Sequence, residues 1–288
     1  MANPEKKVPE NQPGEFYVDS SCIDCDTCRQ LAPSTFADAG EYSYVKAQPV
    51  GEDERRLALR ALLACPTSSI GTTGKASARE AMEDFPLPIA EEVFYCGFNA
   101  EASFGANSYF VRHPEGNWLI DAPRFLPFLA KKFAAMGGLR YIFLTHRDDV
   151  ADAGKYAERF GAERVIHRSD ADAAPGAEIL LEGEAPHPFG NDFLILPTPG
   201  HTRGHCVLLY RGRFLFTGDH LAYSRERGHL IAFRNANWYS WPETIRSMEK
   251  LQDYDFEWVL PGHGERLYLP ASEMRAQLRR AIEWMKSR

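Results

Sequence analysis

Long apolar runs are missing from this 288-residue chain: no window approaches the roughly 18 consecutive apolar residues that a membrane helix needs. The first fifteen residues, Met1 to Glu15, are polar and proline-rich, without the apolar core of a secretory signal. Basic residues are not in excess, with 33 Lys+Arg against 40 Asp+Glu and a formal net charge of -7, which argues against nucleic acid as the main partner. Internal repeats and low-complexity tracts are also lacking. What remains is an ordinary globular composition, 44% hydrophobic and 25% charged, expected to be cytoplasmic with no membrane partner.

Cysteine is rare, six in all, but unevenly placed. Three fall in Cys22-Ile23-Asp24-Cys25-Asp26-Thr27-Cys28, and a fourth, Cys65, directly precedes Pro66. In a reducing compartment such a cluster points to metal or redox chemistry rather than disulfides. The C-x2-C-x2-C spacing lets one loop wrap three thiolates around a cubane, and a remote Cys-Pro supplies the fourth corner. A four-cysteine zinc site usually uses two C-x2-C pairs, which are absent here. Cys96 and Cys206 have no cysteine neighbours and read as small buried hydrophobes.

Charge and proline divide the chain. Residues 1–90 hold 9 Lys+Arg against 14 Asp+Glu, so most of the net acidity lies there. The stretch Asp53 to Ala64 predicts a helix that Cys65-Pro66 stops, flanked by strand-like runs at Glu15 to Val18 and Tyr42 to Lys46. A further helix-like stretch, Ala76 to Asp84, ends at Phe85-Pro86-Leu87-Pro88, which reads as an extended linker. The expected units are a flexible N-terminus over 1–14, a small domain over 15–85 and a large domain over 90–288. The small domain's cysteine arrangement resembles the single-cluster bacterial ferredoxins. The resemblance implies a 4Fe-4S cluster held by Cys22, Cys25, Cys28 and Cys65, and the acidity suggests a redox partner protein.

From residue 90 onward short apolar runs alternate with helix-like stretches, the pattern of an α/β domain. Four times an apolar strand ends in a turn that carries a His or Asp: Thr145-His146, Thr198-Pro199-Gly200-His201, Thr217-Gly218-Asp219 and Pro261-Gly262-His263. Ligands collect at the carboxyl ends of strands in α/β sheets. Imidazoles and carboxylates delivered there by four strands make a metal site. The insert between Asp219 and His263 is rich in aromatics (Tyr223, Phe233, Trp238, Tyr239, Trp241) and is expected either to line a pocket or to pack the neighbouring helix.

These motifs, T-H-x-D, P-T-P-G-H-T-x-G-H, T-G-D and P-G-H-G in this order, resemble the metallo-β-lactamase-fold hydrolases of the glyoxalase II and flavodiiron type over about residues 92 to 270. The resemblance implies a four-layer αβ/βα sandwich with metals at one edge between two sheets. It makes His146, His201, Asp219 and His263 metal ligands, with Asp219 bridging two ions and His205 supporting from behind. Where the family writes H-x-H-x-D-H, this chain has His146-Arg147-Asp148-Asp149-Val150-Ala151-Asp152. Asp148 takes the place of the second His, as a carboxylate does in the flavodiiron branch, and the terminal His is gone. Carboxylate for imidazole makes iron or manganese as suitable as zinc, with one or two divalent ions bound. Asp149 or Asp152 is left as general base.

Three functions follow. The first is a metal-dependent hydrolase that uses activated water on an ester or thioester-type small-molecule substrate. A second is an oxidoreductase whose cluster feeds electrons to an iron or di-iron site. A third is a non-catalytic electron-transfer or sensing protein with a degenerate metal site.

Overall fold

The structure is a computed structural model that describes residues 2–74 and 78–288. The small domain runs β1 (Phe16–Val18), α1 (Thr27–Leu31), β2 (Phe36–Asp38), β3 (Ser43–Val45), α2 (Gly51–Ala64), β4 (Ile70–Thr72) and α3 (Arg79–Glu83). Strands β1 and β4 pair antiparallel, as do β2 and β3. Helix α2 begins with Glu52, Asp53 and Glu54, whose charges face the positive end of its dipole. It stops where Pro66 forces Cys65 into an extended conformation, φ -56° and ψ 120°. Ala58, Leu59 and Ala61 pack on Phe16, Val18, Val45 and Ile70 to form this domain's core.

Two expectations are corrected here. Residues 2–14, the described part of the expected flexible N-terminus, are not a loose tail. Val8 is buried in the small core, Asn3 N–H donates to Asp19 at 2.6 Å, and the Asn11 side chain makes hydrogen bonds with both β1 and β3. A polar segment is anchored this way when one amide side chain replaces missing ladder partners. Nor is Leu87–Pro88 a linker. Leu87–Ala90 is β5, the edge strand of the large sheet, where proline's missing N–H costs no ladder bond. The helix read from Ala76 has its described part at α3, with residues 75–77 outside the described residues.

The large domain continues with β6 (Val93–Tyr95), β7 (Tyr109–Val111), β8 (Trp118–Ile120), α4 (Pro127–Ala135), β9 (Tyr141–Phe143), α5 (Ala153–Phe160), β10 (Glu163–His167) and β11 (Ile179–Leu181). Then come β12 (His187–Phe189), β13 (Phe193–Pro197), β14 (Cys206–Tyr210), β15 (Phe214–Gly218), β16 (Ala222–Ser224), β17 (His229–Ile231), α6 (Trp241–Leu251), β18 (Trp258–Pro261), β19 (Leu267–Tyr268) and α7 (Ala271–Lys286). A seven-stranded sheet has the order β11-β10-β9-β8-β7-β6-β5, and a six-stranded sheet the order β12-β13-β14-β15-β18-β19.

Alternation along the strands explains the layers. In β14, Cys206, Leu208 and Tyr210 face the first sheet, while Val207 and Leu209 face outward, as period-two geometry requires. The inner faces share one core with α4 and α5, which cover the first sheet through Leu129, Phe133 and Tyr156. The outer face of the second sheet is covered by α6 and α7, where Met274, Leu278, Ile282 and Met285 form one helical stripe. Burying each such side chain contributes roughly 1.5–3 kcal/mol. The result is a four-layer αβ/βα sandwich, with Cys96 and Cys206 buried in its centre. Strands β11, β12, β16, β17 and β19 were not evident in the sequence pattern. Among the described residues no helix is long and apolar enough to cross a membrane.

Candidate metal centres

Cys22, Cys25, Cys28 and Cys65 line a single small cavity, walled also by Val18, Ile23 and Ile70. None is in a disulfide. Left-handed Asp24 and Asp26 (φ 58° and 66°) turn the loop so that all three of its sulfurs face inward. Main-chain N–H groups reach the sulfurs, from Ser43 to Cys22 at 3.4 Å and from Ser69 to Cys65 at 3.3 Å. Burial pushes the Cys25 thiol up to about 11, and burial also raises Cys22 and Cys28. Three thiols whose burial opposes ionisation, gathered with Cys65 around one cavity, fit a group whose iron stabilises cysteines as thiolates.

The second centre lies where β9, β13, β15 and β18 end. His146 follows β9, and its Nδ1 is 3.0 Å from Thr145 Oγ1, which leaves Nε2 pointing into the site. His146 Nε2 lies 3.7 Å from Asp148 Oδ2 and 3.8 Å from Asp219 Oδ2. His201 Nε2 lies 3.4 Å from Asp148 Oδ2 and 3.6 Å from Asp219 Oδ2, and His263 Nε2 3.7 Å from Asp219 Oδ2. Two groups of donor atoms result: His146, Asp148 and His201, and His146, Asp149 and Asp219. Asp219 touches both sides.

Whether these residues suit divalent ions can be judged from what they lack. His146 Nε2, His201 Nε2, Asp149 Oδ2 and Asp219 Oδ1 are buried with no hydrogen-bond partner. Such groups cost about 1–3 kcal/mol each when left unpaired. Asp149 is pushed well above the usual carboxylate range, first by burial and then by the charges of Asp219, Asp121 and Asp148. Burial also drives His146 down to about 4, so its imidazole is neutral and free to coordinate. Three carboxylates and three imidazoles converge here, and the unpaired atoms of His146, His201, Asp149 and Asp219 among them fit divalent cations.

The supporting residues include two that sequence reasoning passed over. Asp121, after β8, accepts from Thr145 N–H at 2.9 Å and thereby fixes the turn before His146. Burial pushes its carboxyl up to about 8. Asp170 accepts from Thr202 Oγ1 at 2.5 Å, Gly204 N–H at 2.9 Å and Arg147 N–H at 3.2 Å, which ties the His146 and His201 loops together. An aspartate at the end of an apolar run was the available signal for Asp121; for Asp170 there was none. His205 is in neither donor group: Thr198 holds its Nδ1 at 3.0 Å, and its ring lies between those of His146 and His220. At Gly218 (φ 47°) a side chain would strike Thr145 and His205, so only glycine fits.

Of the two general-base candidates, Asp149 is buried among the donor atoms and Asp152 is outside the site. The left-handed Ala151 (φ 37°) turns the chain away, and Asp152 instead accepts from Phe125 N–H at 2.7 Å and pairs with Lys155. The insert divides between its two expected roles. Tyr223, Phe233 and Trp238 line a cavity of about 970 Å³ over the metal donors, whereas Trp241 Nε1–H donates to Met285 O in the helical layer. Asp24, Cys25 and Arg29 of the small domain line the same cavity.

Residues 103–263 match the metallo-beta-lactamase superfamily, and the chain belongs to that superfamily. Residues 18–72 match the 4Fe-4S single cluster domain of Ferredoxin I. The protein therefore carries a 4Fe-4S domain beside a hydrolase-like domain for divalent metal ions. A hydroxyacylglutathione hydrolase of Rhizobium etli is 31% identical over 140 residues, 46% of this chain and 52% of that protein. One of Acidiphilium cryptum is 32% identical over 124 residues, 40% of this chain and 48% of the relative. The chain thus spans about half the length of the curated relatives it matches. Among solved structures, DIM-1 metallo-beta-lactamase aligns with a TM-score of 0.54 at 17% identity, over 69% of this chain and 95% of that one. A metallo beta lactamase from Hirschia baltica aligns at 0.53 and 16% identity, over 68% and 96%. At such identities the likeness is one of fold.

Proposed function

We propose that the chain is a metal-dependent hydrolase of a small thioester or ester, with His146, Asp148, Asp149, His201, Asp219 and His263 as the metal-holding set. One observation carries this reading: side chains from four loops converge beneath a cavity large enough for a small-molecule substrate, and donor atoms of His146, Asp149, His201 and Asp219 are left buried and unpaired there. Divalent ions, if held there, would supply Lewis acidity to activate water and polarise an acyl carbonyl. The protein's own part is orientation. Thr145 and Asp121 set His146, Asp170 sets the His201 loop, and Tyr223, Phe233 and Trp238 supply apolar walls for an acyl chain. The hydroxyacylglutathione hydrolases with which it shares sequence support the thioester as the first substrate class to try.

The test uses the zinc-loaded protein with an acyl-glutathione thioester, following release of free thiol. Asp219→Ala should abolish both hydrolysis and large-domain metal and leave the cluster absorbance intact. Turnover unchanged in that variant would sink the reading. A second reading, one-electron chemistry at iron in the large domain, is favoured by Cys25 and His263 lining one cavity. About six iron per chain rather than four would support it.

A further inference from the structure

One buried polar path joins the cluster loop to the metal loop. Asn99, fully buried, donates from Nδ2 to Gly105 O at 2.7 Å and to Thr27 Oγ1 at 3.1 Å. Its Oδ1 accepts from the Tyr95 hydroxyl at 2.8 Å, and its N–H donates to Ala64 O at 3.2 Å. The Thr27 hydroxyl in turn takes the Cys25 thiol at 3.5 Å. One amide of the large domain therefore reaches the Cys25–Cys28 corner through Thr27 and the Cys65 corner through Ala64.

Asn107 continues the path. It lies 3.4 Å from Asn99 Nδ2, donates from its main chain to Gly262 O at 2.7 Å, and from Nδ2 to Pro261 O at 3.3 Å. Gly262 precedes His263, and a side chain built on it would meet Asp219 Oδ1 at 2.8 Å and Asp149 Oδ2 at 2.9 Å. The same segment places Phe104 with its ring centroid 6.2 Å from that of His263, while Gly105 abuts Cys25.

We propose that Asn99 and Asn107 are positioning residues that couple the two centres, so that the charge on the cluster is felt in the placement of His263 and in the metal affinity of its site. This rests on the large domain holding divalent metal, as proposed above. The physical link is the shared hydroxyl of Thr27. With iron bound, Cys25 would be a thiolate that only accepts, and the Thr27 hydroxyl, which here donates to Gly105 O at 3.5 Å, would turn to donate to Sγ. An added electron strengthens that bond, and Thr27 cannot move toward Cys25 without loading its bond from Asn99. Close-packed, fully buried partners transmit such a shift rather than absorb it. Linkage makes the effect reciprocal: if reduction tightens zinc binding by some factor, zinc raises the cluster's reduction equilibrium constant by the same factor.

The experiment is an EPR-monitored redox titration of the full chain with its cluster intact, first stripped of large-domain metal and then saturated with zinc ion. A chemical titrant supplies the single electron that the cluster accepts. We expect zinc to raise the midpoint in proportion to a roughly tenfold change in affinity, about 59 mV for a one-electron couple. Asn107→Ala, which leaves every contact to the cluster loop in place, should cut that displacement by more than half, and Asn99→Ser should do likewise. Iron and zinc contents check that both centres are filled in each variant. A wild-type midpoint indifferent to bound zinc overturns the coupling. A displacement of full size in both variants also overturns it, since the effect would then act directly through space. Failure of the wild type to take up zinc shows in the zinc content and removes the metal-centre reading along with the coupling.

Discussion

The Asp148 carboxylate stands 3.4 Å from His201 Nε2 and 3.7 Å from His146 Nε2, at the position where the superfamily motif has an imidazole. The His201 imidazole beside it, ahead of burial, holds this carboxyl below the usual carboxylate range, so it offers a charged oxygen near neutral pH. An oxygen donor among imidazoles widens the choice of ion toward manganese and iron. Asp148→His should therefore narrow it: dialysed against equal zinc and manganese, the variant is expected to retain zinc and lose most manganese. Asp148→Ala should weaken binding of either ion by more than about tenfold. Equal manganese retention by wild type and Asp148→His would show that Asp148 is no ligand.

Gly105 presses on the cluster loop from the other domain. With φ 83°, it occupies the region that disfavours side chains, and an added Cβ would sit 2.7 Å from Cys25 Cβ and 3.0 Å from its Sγ. Gly105→Ala should therefore displace Cys25 and lower iron content below four per chain, a loss visible in the cluster's absorbance. Zinc uptake by the large domain should persist. An unaltered iron content would mean that the loop yields without cost.

Arg124 holds the domains together at the fourth cluster corner. Its Nη2 donates to Leu63 O at 3.2 Å and to Cys65 O at 3.3 Å, carbonyls that the end of α2 leaves without helical partners. Arg124→Met keeps the apolar stem but strands Leu63 O and leaves Cys65 O only the Ser68 N–H at 3.4 Å, which should cost about 1–3 kcal/mol. The expected signs are a lower Tm and faster proteolysis between residues 65 and 90. A Tm equal to wild type would place the adhesion elsewhere, with Asn99 and Gly105 the next residues to examine.

Much of this organisation was legible in the sequence, because the informative residues follow apolar strands and strand ends gather at one sheet edge. His146, His201, Asp219 and His263 were each marked by such a turn, and the four cysteines by spacing alone. Side-chain direction in the irregular loop after His146 was not legible. Spacing treated Asp149 and Asp152 alike, whereas the left-handed Ala151 sends one into the site and the other out. Leu87-Pro88 looked like a linker because edge strands tolerate proline and so carry a weak strand signal. Residues 1–14 looked loose because the hydrogen bonds of Asn11 to β1 and β3 are long-range and leave no periodic trace.

Acid should release the small domain's helical pair first. Asp84 accepts from Arg56 and from Arg60 Nε, the latter at 2.7 Å, and so ties the end of α3 to α2. The hydrogen bond from Arg56 is the largest influence, and together these guanidiniums hold the Asp84 carboxyl down at about 2, against an ordinary value of about 3.9. A carboxyl depressed in the folded state contributes stability that is complete above its unfolded value and disappears as pH falls through the folded one. The contribution should thus be constant from pH 7 to about 5, shrink below pH 4 and be nearly gone at pH 2. Asp84→Asn removes the charge at every pH. Urea midpoints for wild type and variant should differ by a fixed amount at pH 7 and 5 and converge between pH 4 and 2. A gap that persists at pH 2 would mean that Asp84 acts through its shape and not through its charge.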